Sequence, residues 1–291
     1  MSKKTVETDR EVAELADLAR QARIHILRAI VHADGGHLGG PFSVIDMLIA
    51  LYFRVLRIRP DEPAWPDRDR LVLSKGHSSI ALYTTLAMRG YFPLDELSTF
   101  DAIDSRLQGH PDMALTPGVD MSSGSLGLGF SGALGIALGA RAAGKDFTTY
   151  AILGDGECNE GIVWEAAHVA ERYALDNFVA IVDHNKLQQF GWHGATVADR
   201  LPPYTGTQLV DRWSAFGWRV FEMDGNSMTD VLATVEQARD HRGGPVAIIA
   251  HTVKGKGVSF MEGNYLWHTK VPNPQELATA LAELGEPGGG S

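Results

Sequence analysis

Cysteine is almost absent: the 291-residue chain has one, Cys158. A single thiol excludes an intrachain disulfide framework and fits a reducing compartment. Standing alone, Cys158 reads as a bystander rather than a nucleophile. Positive charge is in deficit. Twenty-six Lys and Arg face 36 Asp and Glu, for a formal charge of −10. That disfavours non-specific nucleic-acid binding, which needs a basic footprint. Long apolar runs are missing too. The longest, "LGLGFSGALGIALGA", is glycine-rich, ends at Arg141 and falls short of the ~20 residues of a membrane span. The start, "MSKKTVETDREVAEL", has charge but no apolar core of a signal peptide. A soluble, cytoplasmic protein is expected. No internal repeat is visible.

What is present suffices for a large core, with 44% hydrophobic residues. Thr8 and Glu11 have capping-box spacing, and Val12, Leu15, Ala19, Ala22, Ile26 and Ile30 recur near a 3.6 period. Together they predict a helix over 8–33. A glycine-rich loop, "HADGGHLGGPFS", precedes a second helix, "VIDMLIALYFRVL". "LVLS" reads as a short strand, and "KGHSS" leads into a helix ending near Gly90. Residues 104–125 read as loop, and a Gly/Ala helix runs from Gly127 to about Ala143. "TTYAIL", "NFVAIV", "WRVFEM" and "PVAIIAHT" read as strands, with helices at 160–174 and over "MTDVLATVEQARD". A long polar loop is expected between "NFVAIV" and "WRVFEM". Strands alternating with helices predict an α/β fold, a parallel sheet with helices on both faces. One domain is expected over 1–291, with a disorder-prone tail from about 283.

In such sheets ligands sit beyond the carboxyl ends of the strands. "GDGECNEG" puts Asp155 directly after one strand, and Asn185 follows the next, after Asp183 and His184. The 28 residues from 157 to 184 allow one helix and one strand, so the two tips can be neighbours. A carboxylate and an amide oxygen converging there suit Mg²⁺, which takes oxygen ligands shared with phosphates. Gly154 and Gly156 allow a ligand to approach the backbone. "GDG" alone could equally be a strand-end turn; the Asn at this separation favours the site. "GLGFSG", 127–132, fits G-x-G-x-x-G, but a nucleotide fingerprint needs a strand just before it. "DMSSGS" is loop-like, and the glycines at 132, 135 and 139 suit close helix packing better. Four histidines, His37, His77, His110 and His268, sit in glycine- or proline-rich loops rather than on apolar helix faces. A lone histidine is more often structural, but loops on a rigid scaffold carry sites. These could donate to hydroxyls or shuttle protons. No H-x-x-x-H or H-E-x-x-H spacing marks them as metal ligands.

The "GDG…N" pattern resembles the thiamine diphosphate motif. "GGHLGGPFSVIDMLIALYF", "DRLVLSKGHSSIALY", "LQGHPD", "GSLGLGFSGALGIALG" and "GDGECNEGIVWEAA" extend the resemblance. In order, they are similar to the amino-terminal half of a transketolase, from about residue 12 to 275. The resemblance implies the thiamine diphosphate-binding fold of the family's diphosphate domain. It implies that Asp155, Asn185 and the Leu187 carbonyl hold Mg²⁺, with Gly154 and Gly156 against the diphosphate. His77 would contact the cofactor phosphate, and Gly124 and Leu126 would offer backbone groups to the aminopyrimidine side. His37, His110 and His268 would face the sugar, and Glu160 would lie at a subunit interface near the cofactor.

The implied reaction moves a two-carbon ketol unit from a ketose to an aldose. In transketolases the glutamate that activates the cofactor lies in a further, pyrimidine domain. One subunit of a split enzyme is therefore expected, partnered by a chain with that domain in an α₂β₂ assembly. Loops 105–125 and 187–206 would lie near the contact. Two other readings stay open at this point: the diphosphate-binding subunit of a 2-oxo-acid decarboxylase or dehydrogenase, and a non-catalytic assembly subunit.

Overall fold

The computed structural model describes residues 3–189 and 205–286. Five strands form one sheet: β1 (Arg70–Leu73), β2 (Thr149–Gly154), β3 (Phe178–His184), β4 (Arg219–Asp224) and β5 (Val246–His251). Their order is β1-β2-β3-β5-β4 and every pairing is parallel. β3 is buried along its whole length, and β2 and β5 at all but the last residue. Strands covered on both faces are apolar over nearly their whole length, with polar residues only at their ends, as Thr149, Asp183 and His184 are here. That is why they read as unbroken runs in the sequence.

On one face lie α1 (Lys3–Ala33), α2 (Gly39–Ala50), α3 (Ser79–Arg89), α7 (Met228–Asp240) and α8 (Pro274–Glu283). They share a core with Ile152, Ile181 and Ile248. The other face carries α4 (Leu128–Ala142), α5 (Gly161–Arg172) and α6 (Gly206–Ala215), packed on Leu153, Val182 and Ile249. The parallel sheet covered on both faces is as expected.

Several boundaries differ from the sequence reading. α1 continues through Thr8 to Lys3, so the Thr8/Glu11 spacing does not mark its start. α2 begins at Gly39 and passes into a π-helical turn over Leu51–Val55. Arg89 Nε donates to the Tyr52 carbonyl there at 3.0 Å, satisfying an acceptor in the widened turn. α3 stops at Gly90, whose φ of 93° suits glycine. Two helices were not anticipated. α6 fills the end of the expected polar loop and α8 follows residue 273. The packed chain extends past 283: Leu284 is buried and Arg28 pairs with Glu286 at 2.8 Å. Residues 287–291 of the expected tail lie outside the described residues. No helix among the described residues is long and apolar enough to cross a membrane.

The α4 glycines split into two groups. A Cβ on Gly129 would lie 2.7 Å from Ser74 Cα, and one on Gly132 would strike Met121, but Gly135 and Gly139 face open space. The expectation of close packing at 135 and 139 is therefore corrected. α4 follows a loop rather than a strand, so "GLGFSG" is not a nucleotide fingerprint.

Candidate functional site

Parallel pairing aligns the strand tips. Gly154 of β2 is in register with Asp183 of β3, which brings Asp155 and Asn185 out at neighbouring ends. Asp155 is buried. Its two oxygens accept the Gly156 and Lys186 N–H groups at 2.8 and 2.7 Å. Burial, reinforced by the nearby Asp183 charge, pushes its carboxyl up to about 6. Asn185 Oδ1 accepts from Leu187 N at 3.3 Å. After it the backbone turns through Lys186, Gln188 and Gln189 at φ of 69°, 41° and 71°. Non-glycine residues there cost on the order of 1–3 kcal/mol each, and such strain clusters at ligand sites.

A cavity of about 410 Å³ opens over these tips. Of the residues singled out in the sequence, His37, His77, Gly124, Leu126, Gly154, Asp155, Gly156, Asn185 and His268 line it. His110 is more exposed and stands at its rim, with its ring 6.3 Å from that of His37. Glu160 lies outside the cavity, exposed at the N-terminus of α5. Leu187 is buried beside Asn185, and its side chain does not line the cavity. Of the second expected contact loop, residues 190–204 lie outside the described residues. A larger cavity, about 530 Å³, sits at the opposite, amino-terminal ends of β1, β2 and β3, between Asp69, Thr148 and Asn177. Arg57 pairs with Asp146 there and Arg239 with Asp240, and the cavity gathers none of the candidate residues.

The histidines form one cluster, with the His37 ring 5.1 Å from His77 and 4.9 Å from His268. Burial, with neighbouring His110 and lysines, pulls His37 down to about 4. Burial and then Lys254 take His268 to about 3. Burial, then Lys75, holds His77 well below the ordinary range. All three are neutral at neutral pH. Among the described residues, no three His, Cys, Asp or Glu side chains are grouped to hold a metal ion. The three histidine rings present neutral imidazoles to the cavity.

Four further residues had escaped the sequence reading. Lys75, 1% exposed, lines the cavity and pairs with fully buried Asp183 at 2.5 Å. Asp183 also accepts the Ser43 hydroxyl at 2.6 Å and that of Thr252. Burial alone would raise its carboxyl, but the Lys75 charge and these hydrogen bonds hold it below the usual carboxylate range. Lys254 is buried on the cavity wall. Burial, then repulsion from Lys75, lowers it to about 8. Glu157, 2% exposed, accepts from Ser74 Oγ at 2.5 Å, Gly127 N at 2.7 Å and Gly154 N at 3.1 Å. It ties three loops of the site together.

Glu157→Ala would leave the Gly127 and Gly154 N–H groups and the Ser74 hydroxyl unpaired. Unmet buried donors cost about 1–3 kcal/mol each, so a loss of roughly 3 kcal/mol is expected in urea denaturation. A midpoint equal to that of the wild type would show that the three loops do not depend on this carboxylate.

Residues 15–286 match the family described as transketolase, thiamine diphosphate binding domain. The chain belongs to the transketolase family. Its similarity to curated transketolase subunits runs end to end. It is 43% identical over 275 residues to a 6-deoxy-6-sulfo-D-fructose transketolase subunit of a Clostridium species, covering 94% of this chain and 98% of that one. To an apulose-4-phosphate transketolase subunit of Phocaeicola vulgatus it is 38% identical over 276 residues, 95% of each. Among solved structures, transketolase from Campylobacter jejuni superposes with a TM-score of 0.85 at 30% identity. The match covers 95% of this chain and 43% of that one, so the chain spans less than half of that transketolase. The fold seen here is thus that of the transketolase thiamine diphosphate-binding domain.

Proposed function

We propose that the chain, as one domain, is the diphosphate-binding subunit of a two-subunit transketolase. It would transfer a two-carbon ketol unit from a ketose or ketose phosphate to an aldose. The observation that carries this reading is one cavity that joins the Asp155–Asn185 strand tips to a wall of neutral histidines.

The donor set fits the implied metal and cofactor. Asp155, Asn185 and the Leu187 carbonyl would hold Mg²⁺. They supply only oxygens, as a hard cation requires. The cavity wall beside them carries Lys75, His77 and Lys254, two cations and a neutral N–H donor suited to a diphosphate. Gly154 and Gly156 keep that side free of side chains. Gly124 and Leu126, on the loop that packs against Gly76, would meet the aminopyrimidine. Thiamine diphosphate supplies, when bound, the nucleophile and the electron sink for breaking and making the bond beside a ketose carbonyl. The protein's own work is then orientation and proton movement. His37, His110 and His268 would donate to sugar oxygens and exchange protons with them.

A partner completes the site. Among the described residues, the carboxylates lining the cavity are Asp155 and Glu157, and both are already engaged by backbone N–H groups. The glutamate against the aminopyrimidine would therefore come from a second chain with the pyrimidine domain. That two relatives covered nearly completely are named as transketolase subunits supports this. Glu160 and the loop 105–125 would lie near the contact, and two copies of each chain would give α₂β₂. The compartment proposed is the cytoplasm.

The test is direct. The purified chain, saturated with thiamine diphosphate and Mg²⁺, is expected to show no ketol transfer from ketose phosphates. Adding a pyrimidine-domain polypeptide should restore it, with no turnover of 2-oxo acids. Robust transfer by the isolated chain would contradict the two-subunit reading.

A further inference from the structure

Lys254 and His268 meet on the cavity wall, with Lys254 Nζ 2.9 Å from His268 Nδ1. Both are held by their backbones. The Lys254 carbonyl accepts from Gly263 N at 3.0 Å, and the His268 carbonyl accepts from Leu38 N at 3.3 Å. The neighbouring Trp267 is 2% exposed and donates its Nε1–H to the Phe260 carbonyl at 3.0 Å. The lysine stem runs where Gly39 has no side chain: a Cβ there would lie 2.8 Å from Lys254 Cγ and 3.0 Å from the Trp267 carbonyl. The pair is therefore built into the packing between α2 and the Tyr265–His268 turn.

An ammonium has three donors and no acceptor. It can approach an imidazole nitrogen at this distance only if that nitrogen offers its lone pair. A neutral imidazole has one such nitrogen and carries its proton on the other. We infer that Lys254 is a positioning residue that fixes His268 as the Nε2–H tautomer, so that this histidine serves the cavity as a hydrogen-bond donor. Protonation of Nδ1 would set two donors face to face. Neighbouring Lys75 and His37 oppose a second proton further. In the sugar-facing reading proposed above, on which this consequence rests, His268 then holds a substrate oxygen. The proton-accepting steps fall to His37 or His110.

The tautomer can be read without any turnover, by long-range ¹⁵N NMR of the full chain labelled on histidine, cofactor-free at pH 7. His268→Gln identifies the signal by its disappearance. In the wild type one ring nitrogen is expected at a fully protonated shift, the other at an unprotonated one, without averaging. In Lys254→Met the two shifts are expected to converge as the tautomers interconvert. An Nδ1–H or averaged pattern for the assigned His268 signal in the wild type would overturn the inference. So would an unchanged pattern in Lys254→Met with a native circular dichroism spectrum. Calorimetric titration with thiamine diphosphate and Mg²⁺ runs in parallel. Failure there, with the Nε2–H pattern intact, would count against the cofactor reading and leave the tautomer standing.

Discussion

Asp155→Ala and Asn185→Ala are each expected to weaken Mg²⁺-dependent thiamine diphosphate binding by on the order of a hundredfold or more, about 2.7 kcal/mol. The two side chains emerge from strands in direct register, so neither can be replaced by a neighbour without moving the sheet. Losing one hard ligand leaves part of the metal's charge, and hence of the diphosphate's, uncompensated. Asp155→Asn separates this role from a structural one. In the cofactor-free chain Asp155 is buried close to the Asp183 charge, and the two repel. Removing that negative charge relieves the repulsion and keeps one of the two acceptor oxygens, but it turns an amide NH₂ towards the other backbone N–H group. With the relieved repulsion set against one lost hydrogen bond, the cofactor-free variant should unfold close to the wild-type midpoint while binding collapses. Calorimetry with cofactor and Mg²⁺, beside thermal unfolding without them, reads both. Wild-type affinity in the alanine variants would place the metal elsewhere. A large drop in cofactor-free stability of Asp155→Asn would make the carboxylate a fold element first.

Most of the sheet was legible in the sequence because of where its strands lie. β2, β3 and β5 are covered on both faces, so they are short continuous apolar runs with nothing to confuse them. The motif residues were legible because glycine and a polar residue at a strand tip have few alternative uses. α6 escaped because its apolar stripe is narrow, with only Leu209 and Trp213 buried. Its capping box, Thr205 with Gln208, was there to be read, as was that of α8, Asn273 with Glu276. Thr8 and Glu11 show the converse: the same spacing falls inside a longer helix and does not mark its start. Lys75, Asp183, Lys254 and Glu157 were hidden for another reason. A charged residue reads as surface unless its partner is known, and the partners here are 108 positions apart for Lys75–Asp183 and 14 for Lys254–His268. Only the parallel register, which sets the end of β1 near those of β3 and β5, brings such groups under one cavity.

Asp183→Ala is expected to cost about 3–5 kcal/mol of stability, the range for breaking a buried ion pair from one side. Domains have roughly 5–15 kcal/mol in total, so the variant should sit near its unfolding threshold at physiological temperature. The cause is specific. Lys75 is 1% exposed, and without Asp183 its ammonium keeps only the Gly40 carbonyl, at 3.4 Å. The Ser43 hydroxyl still has that same carbonyl, at 2.9 Å, and the Thr252 hydroxyl loses its acceptor, a smaller cost than a buried unpaired ammonium. Lys75→Met in the Asp183→Ala background should then recover part of the loss, because no unpaired charge remains buried. The coupling is read from a double-mutant cycle in urea. Additive effects of the two substitutions would show that the ammonium is solvated or paired elsewhere. Recovery of stability should not bring recovery of cofactor affinity, since Lys75 faces the cavity where the diphosphate is proposed to lie. A double variant that regained both would mean that the lysine serves the fold alone.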